Sequence, residues 1–453
     1  MSEIDKACSF CGSNQSPNLP LIAGLDGHIC EACVKLANQV VTSWGRKRSL
    51  PELQDPLPIP ESIRSKLDAY VVGNSLAKET MAVAVYNHYK RFVVDSSGGG
   101  VNISNDDVNL EKSNILLVGP TGTGKTLIAR SLADIVGVPF AIADATTLTQ
   151  AGYVGEDVES ILVRLLDVAG GDVARAEWGI VYIDEIDKLA RSSESNMGVR
   201  DVSGEGVQQA LLKMVEGTQV KIPAKGRRRE GGEDVVIDTS NILFIAGGAF
   251  SGLEKIVDKR LQPKDLSIGF QATVEKTSNP TQEELLDAIE PEDLRYFGLI
   301  PEFIGRFPVI TSLEPLTVEV LIQILTEPKN ALVKQYKKLF KYENVDLNFT
   351  DGALNAIAEK ALQRGTGARG LRGVMEHLLR RTMYEIPSRK DIHQCTIDEH
   401  VVAGEKSAEL AIKSIAAVDI PDSTPNPVDS DSVGSDPVSA DAAASDKVPQ
   451  LQT

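Results

Sequence analysis

The sequence predicts an α/β protein in which a parallel sheet carries helices on both faces. A small cysteine-bearing head precedes it, and a small helical domain and an acidic tail follow. Three observations predict this arrangement. Between about Ile63 and Leu313, short β-rich apolar runs alternate with segments of helical period, the pattern of strands joined by crossover helices. Beyond Pro315 the pattern turns to helices. Four of the five Cys fall within the first 33 residues as two CxxC pairs.

The length agrees. At 453 residues the chain is three times the roughly 150-residue unit of a typical domain, so two to four domains are expected. Residues 1–50 hold the cysteine cluster, and the Pro-punctuated stretch 51–62 reads as a linker. Residues 63–315 form the large domain. Its apolar runs Asn114 to Val118, Gly179 to Ile183 and Asn241 to Ala246 read as strands. Leu127 to Val136 reads as a helix, and Val207, Ala210, Leu211, Met214 and Val215 share one face of another. Asp95 to Asp107 and Lys221 to Asp234 are polar, Gly-containing interruptions and read as loops.

Residues 316–414 form the smaller domain, with helices expected at Val318 to Tyr336, Asp351 to Ala361 and Leu371 to Tyr384. Residues 415–453 are Asp, Ser, Pro and Ala without periodicity and cannot bury enough surface to offset their ordering entropy, so a disordered tail is expected.

Composition excludes several functions. Hydrophobic residues make up 42%, and no run approaches the roughly 18 apolar residues of a membrane helix. The net charge of −17 argues against non-specific nucleic-acid binding, since a polyanion repels such a field. Seven Asp and one Lys from Asp419 to Thr453 place −6 of it in the tail. The opening residues MSEIDKACSF have neither secretory nor transit character, so a cytoplasmic address is the expectation.

Cys8-x2-Cys11, an 18-residue gap and Cys30-x2-Cys33 give the spacing of a four-thiolate Zn²⁺ site. Two disulfides are the alternative, and they require an oxidising compartment. Such a closed site is structural, which makes the head a docking module. Cys395 stands apart and reads as a buried small hydrophobe.

Gly119-Pro120-Thr121-Gly122-Thr123-Gly124-Lys125-Thr126, with Leu127 next, follows a strand and opens a helix, the context of a phosphate-binding P-loop. Its glycines let backbone N–H groups curl around phosphates. Lys125 suits the β and γ oxygens of ATP, and the Thr126 hydroxyl suits Mg²⁺. Some 58 residues on, the apolar run Ile180 to Ile183 ends in Asp184-Glu185. Two carboxylates at a strand end put Asp184 beside the metal and Glu185 where it can polarise an attacking water. An isolated Asp-Glu pair would be a solvated strand end; after a P-loop it implies ATP hydrolysis.

The order zinc head, P-loop, GYVG, IDEIDK, RDVSGEGVQQALLK, IGF, PEFIGR and GARGLR resembles the ClpX family, the AAA+ unfoldase subunits of the Clp protease. The resemblance spans everything except the insert near Gly98 and the terminal tail. It implies a homohexameric AAA+ ring with a nucleotide at each subunit boundary. It also implies that Arg306 is a finger reaching the neighbouring subunit's nucleotide, that Arg369 is a sensor arginine from the small domain, and that Val71 and Val72 flank adenine. Asn74 stands where Gln is usual, and Gly247-Gly248-Ala249 offers no Asn or Thr of the sensor-1 type, so no residue takes that role. Without the resemblance either arginine would read as a surface ion-pair partner.

The same resemblance makes Tyr153 and Val154 a pore loop that grips an unfolded chain, with Arg200 in a second pore loop; an ordinary turn is the alternative. Arg227, Arg228 and Arg229 occupy the place of a loop around the pore entrance, where a solvated loop competes as a reading. Ile268, Gly269 and Phe270 resemble the tripeptide that docks on a ClpP-type peptidase ring.

The implied function is ATP-driven unfolding and translocation of tagged or adaptor-delivered proteins into a separate serine peptidase. No peptidase activity is expected of the chain itself, since it has no GxSxG or HExxH motif. A stand-alone disassembly chaperone and a zinc-headed ATPase acting on nucleic acid are the competing readings, the acidic balance being poor for the second.

Overall fold

The computed structural model describes residues 7–14, 20–24, 27–44, 57–96, 110–149, 156–190, 204–223, 234–262 and 280–412. At its centre lie five parallel strands: β1 (Ile115–Val118), β2 (Phe140–Asp144), β3 (Ile180–Asp184), β4 (Leu243–Gly248) and β5 (Val309–Ser312), in the spatial order β5-β1-β4-β3-β2. The α/β class expected from the alternating pattern is borne out. In register, Ile245 of β4 lies opposite both Ile115 of β1 and Tyr182 of β3, and Asp144 of β2 lies opposite Asp184.

The strands are apolar throughout because both faces are covered. Successive side chains alternate between two hydrophobic clusters. Leu116, Val118, Val181, Ile183, Phe244 and Ala246 join one; Ile115, Leu117, Ile180, Tyr182, Leu243 and Ile245 join the other. Helix α1 (Ser75–Ser96) and helix α2 (Lys125–Val136) pack on the second cluster, α2 through Ile128, Ala129, Leu132 and Val136. Left-handed glycines bound α2 at both ends, Gly124 at φ 101° and Gly137 at φ 83°, a conformation that suits a residue without a Cβ. Helix α3 (Glu205–Glu216) places Val207, Leu211, Met214 and Val215 in the first cluster, on the face its spacing predicts.

Two expected loops are shorter than their polar stretches. Helix α1 runs on to Ser96, and Gln219–Ile222 pairs antiparallel with Val235–Asp238, so Lys221 and Ile222 belong to a hairpin strand and the partner strand begins just past the stretch. Cross-strand pairing, which composition does not report, holds those strands in place.

After Leu313 the chain enters a second body with its own core. The Thr317 side chain caps the helix Val318–Thr326 by accepting from the Val320 amide, and Thr350 caps Asp351–Gln363 in the same way from Ala353. The single helix expected over Val318 to Tyr336 is two, Val318–Thr326 and Leu332–Tyr342, and helix α4 (Ala368–Glu385) completes the main helices. The body also holds a sheet that the expectation of a small helical domain did not include: β6 (Asp346–Phe349), β7 (Ile392–Ile397) and β8 (Glu409–Ile412), with β7 in the middle. Strands of four to six residues give too few repeats to stand out from loop. Cys395 lies in β7, fully buried, and burial pushes its thiol up to about 11, as suits an inert core residue.

In the head, Leu21–Ala23 and His28–Cys30 form a hairpin that leads into the helix Glu31–Trp44. No helix among the described residues is long and apolar enough to cross a membrane.

Candidate active site

The loop from β1 to α2 closes around Lys125. The Lys125 ammonium donates to the carbonyl oxygens of Gly119 at 2.6 Å and Pro120 at 2.9 Å, and the Thr123 hydroxyl donates back to Pro120 O at 2.9 Å. Burial pulls the Lys125 pKa down, and the nearby Asp184 and Asp187 carboxylates oppose that shift. A half-desolvated ammonium with acidic groups around it is suited to trade carbonyl partners for phosphate oxygens. Gly122 is left-handed at φ 85° and Gly124 at φ 101°, so the loop can turn its amides inward where a Cβ would be strained.

At the end of β3, two strands away across β4, Asp184 faces α2. The Thr126 hydroxyl donates to Asp184 Oδ2 at 3.1 Å, while the Tyr182 hydroxyl donates to Oδ1 at 3.2 Å and the Glu185 amide donates to the same oxygen at 3.0 Å. Burial pushes the Tyr182 phenol up, so it stays a neutral donor. Thr126 and Asp184 thus form a ready pair of oxygen ligands for Mg²⁺, which when bound would neutralise phosphate charge. Glu185 is exposed, with its backbone in the left-handed region at φ 56°. Such a conformation costs about 1–3 kcal/mol in a non-glycine residue and survives where neighbours impose it.

A cavity of about 410 Å³ joins these groups. Thr121, Gly122, Gly124, Lys125, Thr126 and Leu127 line one side of it, Asp184 and Glu185 another, and Ala368 and Arg369 close it from the small domain. It lies at the carboxyl ends of the strands, where open parallel sheets hold ligands. Small-domain backbone touches the loop directly, the Ala368 amide lying 3.4 Å from Gly122 O.

The remaining expected residues fall elsewhere. Arg306 does not line the cavity; its Nε and a terminal nitrogen donate to Glu216 Oε1 at 3.0 and 2.7 Å. Val71 is buried in the core against α2 and Val72 is half-buried; neither lines the cavity. Asn74, the departure from the expected Gln, is left-handed at φ 53°, which Asn tolerates, and its Oδ1 accepts from the Glu314 amide at 2.9 Å. Tyr153, Val154, Arg200, Arg227, Arg228, Arg229, Ile268, Gly269 and Phe270 lie outside the described residues.

Two residues of the site carry no role in the sequence reading: Asp187, which lines the cavity, and Tyr182, which reaches it through Asp184. Tyr182 sits in the apolar run Ile180 to Ile183, where a hydroxyl among apolar neighbours is a signal, whereas Asp187 lies among the charged residues Asp184, Glu185 and Lys188 and nothing local sets it apart.

In the head, one sulfur atom from each of Cys8, Cys11, Cys30 and Cys33 lies within 4.8 Å of the others, and Cys11 Sγ and Cys30 Sγ are 3.7 Å apart. A tetrahedral ion with metal–sulfur bonds of about 2.3 Å requires sulfur–sulfur edges of about 3.8 Å, so the four thiols fit zinc. Burial opposes ionisation of Cys8, yet amide hydrogen bonds at Cys11, Cys30 and Phe10 outweigh it and bring the thiol down to about 6. Hydrogen bonds with Cys11 and Cys30 push Cys33 up to about 12. Four sulfurs sharing one small volume cannot all ionise alone, and a dication relieves that repulsion.

Comparisons with known proteins agree with this geometry. Residues 110–310 match the AAA domain (Cdc48 subfamily), residues 6–43 the ClpX C4-type zinc finger, and residues 316–399 the C-terminal, D2-small domain, of ClpB protein. The chain is 62% identical over 407 residues to the ATP-dependent Clp protease ATP-binding subunit ClpX 3 of Methylococcus capsulatus, a match covering 89% of this chain and 94% of the relative. It is 59% identical over 407 residues to the ClpX subunit of Azotobacter vinelandii, covering 89% and 92%. The ClpX subunit of Treponema denticola is 49% identical over 408 residues, covering 90% and 96%.

Proposed function

The chain belongs to the ClpX family of ATP-dependent Clp protease ATP-binding subunits and is an AAA+ ATPase, and from that premise we propose that it unfolds and translocates proteins for a separate peptidase. The observation that carries this reading is the position of the nucleotide cavity. It is walled by the P-loop on one domain and by Ala368 and Arg369 on the other. A site shared by two bodies lets the charge change of hydrolysis alter the angle between them, which is how such a cycle does mechanical work.

The reading assigns roles residue by residue. Lys125 and the loop amides hold the phosphates, Thr126 and Asp184 hold Mg²⁺, and Glu185 polarises the attacking water. Arg369 neutralises developing charge from its own chain, and Arg306 does so for the next subunit of a homohexamer. Val71 and Val72 flank adenine. Tyr153, Val154 and Arg200 grip the translocating chain, and Arg227, Arg228 and Arg229 draw acidic termini or tags toward the pore. Ile268, Gly269 and Phe270 dock on a ClpP-type ring, and the zinc head receives substrates and adaptors. Neither nucleic acid nor a membrane takes part, and the protein works in the cytoplasm.

The deciding experiment follows ATP-dependent loss of signal from a folded, tagged fluorescent reporter, with and without a ClpP-type ring. Loss of signal with the full-length chain, and degradation only when the ring is present, is the expected result. Degradation left unchanged by deletion of Ile268 to Phe270 while unfolding persists would overturn the docking assignment, and unfolding without degradation even when the ring is present would favour a disassembly chaperone instead. An absence of ATP-dependent unfolding would overturn the reading.

A further inference from the structure

β4 ends in Gly247 and Gly248, followed by Ala249, and none of the three brings a polar side chain to the nucleotide cavity; the first that does so is Ser251, beyond the strand. Space explains the glycines. A Cβ on Gly247 would lie 2.1 Å from the Tyr182 hydroxyl oxygen, and one on Gly248 would lie 2.7 Å from Asp187 Oδ1. The strand has given up its own side chains to admit two polar groups from β3 and the turn that follows it.

We propose that Asp187 is a positioning residue for ATP hydrolysis, tying the turn that carries Glu185 to the end of β4 in place of a polar β4 side chain. Its side chain is 3% exposed and lines the cavity. Asp187 Oδ1 accepts from the Ala249 amide at 3.1 Å, and Oδ2 lies 3.4 Å from the Lys188 ammonium. A buried carboxylate has a large desolvation penalty and is retained where its partners repay it.

The two segments that Asp187 joins are both conformationally strained. On one side, Glu185 at φ 56° leads into the 3₁₀ turn Ile186–Leu189, in which the Lys188 amide donates to Glu185 O at 3.0 Å. On the other, Phe250 follows Ala249 at φ 49°, with its ring fully buried. Ile186, Leu189 and Phe250 sit in the same hydrophobic cluster, so packing fixes both segments on their far sides. The Asp187 to Ala249 hydrogen bond fixes them on the cavity side. Left-handed non-glycine residues persist where contacts over-determine them, and here the contact holds the residue whose carboxylate faces the cavity.

The role depends on accepting one hydrogen bond, so it can be tested with a variant that keeps the acceptor. The inference rests on the assignment of Glu185, which has its own check: a Glu185→Gln chain that still turned over would sink that assignment, whatever Asp187 does. Full-length Asp187→Ala should lose about 10- to 100-fold in kcat while KM and the equilibrium affinity for ATP stay within about threefold. Asp187→Asn keeps a carbonyl oxygen for the Ala249 amide and should return kcat to within about threefold of the parent. Wild-type kcat in Asp187→Ala would overturn the proposal. So would an Asn variant no better than Ala, or a loss of ATP affinity that matches the loss of rate. Should Asp187→Ala fail to fold, Asp187→Asn decides alone: near-parental kcat and KM uphold the acceptor role, and lost turnover overturns it.

Discussion

Gly122 of the P-loop and Gly367 of the small domain approach so closely that neither can carry a side chain. A Cβ on Gly122 would lie 2.9 Å from Gly367 Cα, and one on Gly367 would lie 3.0 Å from Gly122 Cα. The obstacles are backbone, which has no rotamer by which to yield, so the nucleotide loop and the small domain are in register at a single point.

That contact makes Gly122→Ala a test of domain coupling. The new methyl would meet Thr366 O at 2.7 Å, and the residue would keep a left-handed backbone at φ 85°. The backbone penalty of about 1–2 kcal/mol falls on stability, while relief of the clash moves the small domain, and Arg369 with it, off the cavity, so ATP affinity should weaken about tenfold in a nucleotide titration. An unchanged affinity would show that the two bodies separate before nucleotide binds.

Glu185→Gln removes the proposed base and preserves size. Turnover should fall by at least about 100-fold while ATP stays bound, since a positioned base contributes about 10²- to 10⁴-fold. Steady-state hydrolysis and equilibrium binding measured on the same preparation check this; residual turnover near the parental rate rejects the role.

Arg369 lines its own chain's cavity, whereas Arg306 is held by Glu216 outside it. If Arg306 serves a neighbour, inactive Arg306→Ala and Glu185→Gln subunits should regain activity when mixed. Random mixing leaves about a quarter of the subunit boundaries with both groups intact across a head-to-tail interface. Arg369→Ala mixed with Glu185→Gln should not recover, because both groups come from one chain. Equal behaviour of the two mixtures would refute the division of labour.

Metal removal separates the head from the motor. A strong chelator should release about one zinc per chain and unfold the head, since a structural site supplies on the order of 10 kcal/mol of folding free energy. ATP hydrolysis should persist. Acidification should weaken zinc binding, because protons compete for the same four sulfurs, and Cys33 already holds its proton far above neutral pH. A zinc dye assay across pH, run beside circular dichroism of the full chain, reads both effects.

The parts of the site legible in sequence are those whose chemistry lies in consecutive residues. Gly119 to Thr126 makes its phosphate loop from one strand end and one helix start, and Cys8, Cys11, Cys30 and Cys33 make theirs from two tight turns. The place of Asp187 and the room made for Tyr182 were not legible, because Ala249 and Gly247 lie at and just past the end of a strand some 60 residues on. The short β6, β7 and β8 were missed for a related reason, since each is stabilised by a neighbour far along the chain.

The sequence by itself determined the class of fold, the phosphate loop with its acidic partner strand, and the four-cysteine cluster suited to zinc, since local backbone geometry and side-chain chemistry follow from residue order. Only the tertiary structure decided which arginine enters the cavity, why β4 ends in glycines, and that Gly122 meets Gly367. Those outcomes depend on excluded volume between segments distant in sequence, and no local pattern carries that information.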